Sequence, residues 1–174
     1  ISEKEKIAYL NKMEKEIQQY EAENKTGNHI LDTILTTKSL NCQEKNIQMT
    51  CVADGKALDF LNPMDICSIF GNALDNAITS AEKVENPEKR LIHVTVFQEK
   101  SFLRIKIENS FQGELKIKNQ LPVTTKADRR YHGFGVKSMK AVAEKYKGSL
   151  TVSAKDGWFE LRILIPLPES EKII

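Results

Sequence analysis

Apolar residues recur along the chain in two rhythms, every three to four residues or every second residue, and the alternation of the two lays out the elements. From Ile1 to about Lys25 the positions Ile7, Leu10, Met13, Ile17 and Tyr20 keep helical spacing among charged residues. That stripe is wide enough to meet a partner helix and too narrow to cover a globular core. Thr26-Gly27-Asn28 interrupts it, and Asn28 is placed to cap a second helix that runs to about Glu44 with Ile30, Leu31, Ile34, Leu35 and Leu40. Ile47 to Val52 alternates, with Ile47, Met49 and Cys51 on one face, and reads as a strand. Asn62-Pro63 followed by Asp65 is a helix start: a side-chain cap, a proline in the first turn and an acid at the positive end of the dipole. This helix extends from Pro63 to about Val84 and stops before Asn86-Pro87.

Leu91–Gln98 and Phe102–Glu108 are alternating strands joined by the polar turn Glu99-Lys100-Ser101. Phe134–Lys147 is a helix ended by Gly148, and Ser149–Ala154 with Trp158–Ile165 is a hairpin turning at Asp156-Gly157. After Pro166 the chain is a polar tail. The stretch Ser110–His132 keeps no period, and a loop that long inside a packed domain is usually functional. The order α-α-β-α-β-β-loop-α-β-β, with hairpins dominating the strand connections, predicts an α+β two-layer sandwich, a mixed sheet with helices on one face. We expect a helical segment over 1–45, one folded domain over 46–168 and a tail over 169–174.

The composition of this 174-residue chain, 40% hydrophobic and 29% charged, is that of an ordinary folded domain and excludes disordered and fibrous classes. The net charge of +2 is spread without blocks of one sign, which argues against nucleic acid as a partner. The densest basic cluster, Lys126, Arg129, Arg130 and His132, suits one polyphosphate. Cys42, Cys51 and Cys67 have no metal-ligand spacing and read as reduced thiols, with the cytoplasm as the expected compartment. No apolar run is long enough to cross a bilayer, so this segment is expected to be soluble; Ile1 begins mid-sequence, and a membrane part is expected upstream of it.

Four constellations carry candidate chemistry. In the Pro63 helix, Ile66, Phe70, Ala73, Leu74, Ala77 and Ala81 form an apolar face, and Asp65, Asn72, Asn76, Thr79 and Lys83 lie along a flank. Amides one turn apart, Asn72 and Asn76, can offer oxygens to Mg²⁺ and donors to phosphate, or can be solvated surface. His132-Gly133-Phe134-Gly135-Val136 opens a helix with two glycines, where free N–H groups favour an anion, although a turn of this kind is also ordinary. Thr124-Thr125-Lys126 in the aperiodic loop fits a lid over terminal phosphates as well as it fits plain solvated loop. Finally, a buried-type strand ends in Glu108-Asn109-Ser110, where a carboxylate is able to accept from an adenine amino group.

In this order the four resemble the N box, G1 region, ATP lid and G2 box of the Bergerat-fold (GHKL) ATP-binding domain, over roughly Asn46–Pro166. The subfamily they look most like is the Agr-type peptide-pheromone receptor kinases, which carry similar G-N-x-L-D-N-A, E-N-S and H-G-x-G sequences. The resemblance implies the ATP-binding catalytic domain of a two-component sensor histidine kinase in peptide quorum sensing, cytoplasmic and attached to a receptor in the plasma membrane. It implies Asn76 as the Mg²⁺ ligand, Asn72 and Thr79 beside it, Thr125, Lys126 and Arg129 or Arg130 on the outer phosphates, Gly133 to Val136 around the phosphates, and Glu108 or Asn109 at adenine. The family's D-x-G-x-G is replaced by Glu108-Asn109-Ser110. ATP-hydrolysing relatives place a glutamate where Asn72 stands; a neutral amide takes no proton from water, which favours phosphoryl transfer to a protein.

The acceptor implied is a histidine on a dimerisation helix, with a response regulator downstream and a homodimer in the longer protein. Of the three histidines here, His93 sits within a strand and reads as structural, and His132 abuts the glycine loop. His29 starts the second helix without the following acid of a phosphoacceptor. The family's acceptor lies N-terminal to a segment like Ser2–Tyr20, so we expect this chain to lack it. Two rival readings share the shell: a nucleotide-independent interaction module, supported by the lost G1 glycines, and an anti-sigma-type serine kinase, which carries glutamate at the Asn72 position.

Overall fold

A computed structural model describes residues 1–23, 25–114, 117–118, 121–122 and 133–169, giving only the backbone for 19–23, 117–118, 121–122 and 133–134. Helix α1 spans Glu3–Glu23 and α2 His29–Glu44; strand β1 is Gln48–Ala53 and helix α3 Pro63–Glu82. β2 (Leu91–Glu99) and β3 (Phe102–Ser110) follow, then two-residue strands β4 (Ile117–Lys118) and β5 (Leu121–Pro122), helix α4 (Gly133–Lys145), β6 (Ser149–Lys155) and β7 (Trp158–Pro166). The small β4–β5 ladder lies in the stretch that has no sequence period.

The caps are where the sequence puts them. The Asn28 side chain accepts from Leu31 N at 3.0 Å and that of Asn62 from Met64 N at 2.9 Å, each satisfying one donor that an open helix end leaves unpaired. At the other ends, Asn46 and Lys147 adopt left-handed φ of 55° and 62°. Behind each, the next amide bonds five residues back: Ile47 N to Cys42 O, and Gly148 N to Ala143 O, both at 2.8 Å. The helix stop expected at Gly148 is therefore made by Lys147, and Gly148 serves a different constraint. A Cβ there would lie 2.3 Å from Leu164 O, so only glycine lets the α4 exit pass this close to β7. The β6–β7 turn has positive φ at both Asp156 (53°) and Gly157 (78°), the mirror-image geometry that suits twisted strands.

The five-stranded sheet runs β1-β2-β3-β7-β6, with β1 and β2 parallel across the α3 crossover and every other pair antiparallel. Leu103, Ile105 and Ile107 alternate toward the helices and meet Ile92, Val94, Val96, Leu161, Ile163 and Ile165 from neighbouring strands. Against that face pack Ile66, Phe70, Leu74 and Ala77 of α3 and Val136, Met139 and Ala143 of α4. The fold is thus the α+β sandwich expected, a mixed sheet with helices on one face.

Leu31, Leu35 and Cys42 of α2 are at most 1% exposed and belong to this same core, so α2 is part of the packed body although the sequence grouped it with α1. α1 is different: Ile7, Leu10 and Met13 are 56, 62 and 37% exposed, an apolar stripe with no cover. After β7 the chain is not yet a free tail, because Leu167 is buried and its N–H donates to Ser101 O at 2.8 Å.

Two glycine-to-alanine changes should move stability in opposite directions. Gly148→Ala forces overpacking against β7 and is expected to cost roughly 1–3 kcal/mol. Gly71, inside α3 with nothing within 4 Å of a built Cβ, should gain up to about 1 kcal/mol as alanine. Denaturant unfolding of both variants checks the signs.

Candidate functional site

The site is organised by the way α4 lies antiparallel on α3. At one end, Tyr146 O–H and Lys145 Nζ both donate to Asp65 Oδ2, at 2.5 and 2.7 Å, and Asn62 N donates to the Tyr146 hydroxyl at 2.9 Å. Midway, the Ser68 and Ser138 hydroxyls are 3.4 Å apart. At the other end, a Cβ built on Gly135 would lie 3.4 Å from Asn72 Oδ1. The helices therefore pair Asn62 with Tyr146, Ser68 with Ser138 and Asn72 with Gly135. The first turn of α4 ends up on the asparagine flank of α3.

Asn72, half-buried, donates its amide Nδ2 to Ser68 O at 2.7 Å. That bond fixes the orientation of the carboxamide: the nitrogen is spent on the helix, and Oδ1 is the atom presented toward Gly135. A Cβ at 135 would meet that oxygen at ordinary van der Waals distance and fill the space beside it. Asn76 and Thr79, also half-buried, follow on the same flank toward the C-terminal half of α3. Gly133 opens α4, whose first N–H groups have no partner within the helix and carry the positive end of its dipole. An oxygen-bearing flank beside such a helix start is a place for a cation and an anion together.

Asn109 and Glu108 separate. β3 alternates, so Asn109, 2% exposed, faces the helices with Ile105 and Ile107, whereas Glu108 faces the other side of the sheet. There Glu108 Oε1 lies 3.6 Å from both His93 Nδ1 and Lys106 Nζ, and His93 in turn stacks on Trp158 at 5.2 Å. Glu108 is thus separated from the asparagine flank by the sheet itself. The physical reason is the two-residue period of the strand: adjacent residues cannot share a face. Asn109 sits at the end of β3 that pairs with the start of β2, Ile92 opposite it, and β2 follows shortly after α3 ends. It therefore lies at the Asn76–Thr79 end of α3. Val136 is 4% exposed and belongs to the core, so only its backbone is available to a ligand.

Thr124, Thr125, Lys126, Arg129, Arg130 and His132 lie outside the described residues, as does the side chain of Phe134. Sequence reasoning missed the Asp65–Lys145–Tyr146 clasp. Asp65 reads as a helix-dipole acid, yet its side chain is buried, ion-paired with Lys145 and accepting a hydrogen bond from Tyr146, 80 and 81 positions away. No local pattern announces a partner at that distance.

Comparison with known proteins agrees with this fold. The profile of the GHKL domain family matches residues 61–166, more than half of the chain. The chain belongs to the GHKL family. A curated relative, described as a probable C4-dicarboxylate sensor kinase from Halalkalibacterium halodurans, is 22% identical over 160 residues. The aligned region is 87% of this chain and 30% of that protein, so the chain spans under a third of the relative's length. Among solved structures, the catalytic domain of the histidine kinase ThkA superposes with a TM-score of 0.61 at 18% identity, covering 82% of this chain and 96% of that one. The Acinetobacter baumannii histidine kinase AdeS gives 0.52 at 13% identity, over 80% and 64%. The fold of this GHKL domain is that of histidine kinase catalytic domains.

The clasp has a pH signature. Hydrogen bonds from Lys145 and then Tyr146 hold the Asp65 carboxyl below its ordinary value, against the opposing effect of burial. A carboxylate depressed in the folded state stabilises the fold at pH above its unfolded value of ~3.9 and loses that contribution as pH falls through the folded value. Wild type should therefore lose melting temperature below about pH 4 more steeply than Asp65→Asn. The difference between the two melting curves should be largest at neutral pH.

Proposed function

We propose that this GHKL domain is the ATP-binding catalytic part of a sensor histidine kinase of the Agr type, acting with Mg²⁺. The observation that carries the reading is the seating of Gly135 on Asn72, which brings the α4 N-terminus to the asparagine flank of α3. In this reading Asn76 holds Mg²⁺ through its amide oxygen, with Asn72 Oδ1 and Thr79 on the same flank. The backbone N–H groups of Gly133 to Val136 receive phosphate oxygens, where Gly135 leaves the room that a side chain would take. Thr125, Lys126 and Arg130 serve the outer phosphates. Adenine is assigned to Asn109, on the helix-facing side of β3, in place of Glu108.

The residues present fit the ligand. ATP supplies the transferable γ-phosphoryl group, and Mg²⁺ neutralises charge on its oxygens. The protein's contribution is positioning, because position 72 offers an amide and no base to activate water. The acceptor in this reading is a histidine on a dimerisation helix outside this chain, and a response regulator receives the phosphoryl group next. The exposed α1 stripe supports association of two copies in the longer protein. That protein would be a receptor in the plasma membrane with this domain in the cytoplasm; among the described residues no helix is long and apolar enough to cross a membrane. A secreted peptide is the signal that the Agr resemblance favours. The C4-dicarboxylate in the relative's name belongs to a protein of which this chain spans under a third, and it is not carried over.

Mg–ATP at about ten times its dissociation constant stabilises a domain by ~1.4 kcal/mol, which raises the melting temperature of a chain of this size by roughly 3–6 °C. Wild type should show that rise in the millimolar range. Asn76→Asp should abolish it, and Gly135→Ala should shrink it while leaving the ligand-free melt nearly unchanged. A wild type that ignores Mg–ATP, with Asn76→Asp indistinguishable from it, would instead favour the nucleotide-independent interaction module. The chain alone should bind ATP and not phosphorylate itself, which incubation with γ-labelled ATP checks.

A further inference from the structure

The face of the sheet turned away from the helices carries its charges in an order that one copy of the chain does not use well. Between β3 and β7, Glu108 stands directly opposite Glu160, and Lys106 directly opposite Arg162. His93 on β2 and Ser153 on β6 extend the acid row, and Thr95 and Thr151 extend the basic one. Two acids therefore share one row and two bases the next. Like charges directly opposite across a ladder repel, and alternation of sign along each row would have avoided it.

Compensation comes only from neighbours along each strand. Glu108 Oε1 lies 3.6 Å from Lys106 Nζ, and Arg162 Nη2 donates to Glu160 Oε1. These four side chains are 23 to 38% exposed, and ion pairs in that setting contribute little in water. One demand is left over: Arg162 Nε is sealed from water and has no acceptor. A second carboxylate brought to this face would find a donor waiting.

The apolar residues of this face are ordered about the same line. Beyond the acid row stand Leu91 on β2 and Trp158 on β7; beyond the basic row, on the same two strands, stand Phe97 and Leu164. A two-fold axis lying in the face, across the strands and between the acid and basic rows, turns each strand back along its own copy. It sets Glu108 against Lys106 of a second copy and Glu160 against Arg162, each contact occurring twice. Leu91 then meets Phe97, and Trp158 meets Leu164. An axis along the strands would instead set acids on acids, so the charge pattern selects one pairing.

We propose that the open face of the sheet is a self-complementary docking surface for a second copy of this chain, engaged back to back about that axis. Facing sheets pack ~10 Å apart, a gap that glutamate, lysine and arginine side chains span. Five strands spaced ~4.8 Å, each contributing about seven residues at ~3.3 Å, cover roughly 550 Å² on each copy. The total, about 1,100 Å², is at the low end for specific interfaces, so the pairing is weak and reversible. Where another part of a longer protein holds two copies together, an effective concentration in the ~mM range lets such a contact form. The pairing leaves α3 and α4 on the outside of both copies and does not rest on the function proposed above.

Amide-resolved NMR of the whole chain over a dilution series, without nucleotide, tests the pairing and reads this face separately from α1. Concentration-dependent shifts are expected at His93, Thr95, Lys106, Glu108, Glu160 and Arg162, diminishing as salt is raised. Lys106→Glu and Glu108→Lys each set like charges against one another in both halves of the pair, so each variant alone should lose these shifts. Mixed in equal amounts, the two variants are complementary and should regain them, with an affinity within about tenfold of wild type. The exchange Lys106→Glu/Glu108→Lys should self-associate as wild type does. Thermal melts check that each variant is folded; if one single variant is not, the other and the exchange decide. Dilution shifts confined to α1, or absent altogether at the highest soluble concentration, overturn the proposal. So do shifts on this face that persist in both charge-reversed variants, or a mixture of the two that does not regain them.

Discussion

Everything in the site depends on how α4 is laid along α3. Neither helix alone offers a ligand much: α3 has a row of amides on a half-buried flank, and α4 has a short run of open N–H groups. They become one site because Asp65, buried near the start of α3, fixes the C-terminal end of α4 through Lys145 and Tyr146. From that anchor the helices run antiparallel until Gly135 rests on Asn72. The register of the pair decides which residue of α4 meets which residue of α3. A slip by one turn would leave Asn72 facing Met139 or Ser138 and would carry the helix start away from Asn76. The apolar face of both helices supports this register, since Met139 and Val136 share the core with Phe70 and Ala73.

The sheet has an equally strict role, which is to divide residues that sequence places side by side. Asn109 and Glu108 are neighbours in the chain and face opposite layers. One is sealed beneath the helices; the other joins His93, Lys106 and Trp158 on the open face. In a two-layer sandwich a strand residue can serve a site between the layers only if it falls on the helix-facing alternation, which Asn109 does and Glu108 does not.

Much of the architecture was legible because it is local. Asn28 and Asn62 are caps by their chemistry, Asp156-Gly157 makes its turn by its φ preferences, and the alternation of Leu103, Ile105 and Ile107 identifies the buried face of β3 without reference to any other element. What was not legible is long-range. The Asp65 clasp joins residues 80 positions apart, the assignment of α2 to the core depends on what α3 offers it, and the need for glycine at 148 comes from a carbonyl on β7. The site was half legible for the same reason. Asn72, Asn76 and the glycines stand out as motifs, whereas the bond from Asn72 to Ser68 O, which turns Oδ1 toward Gly135, requires the helix to be built first.

The proposed function places nucleotide between the first turn of α4 and the asparagine flank of α3, on the helix side of the sheet. Amide-resolved NMR during a titration with Mg–ATP reads this directly. The largest shifts are expected on residues 72–79 and 133–136 and at Asn109, with His93, Lys106 and Glu160 on the open face of the sheet unmoved. Shifts centred on the open face, or none at all at saturating Mg–ATP, would contradict it.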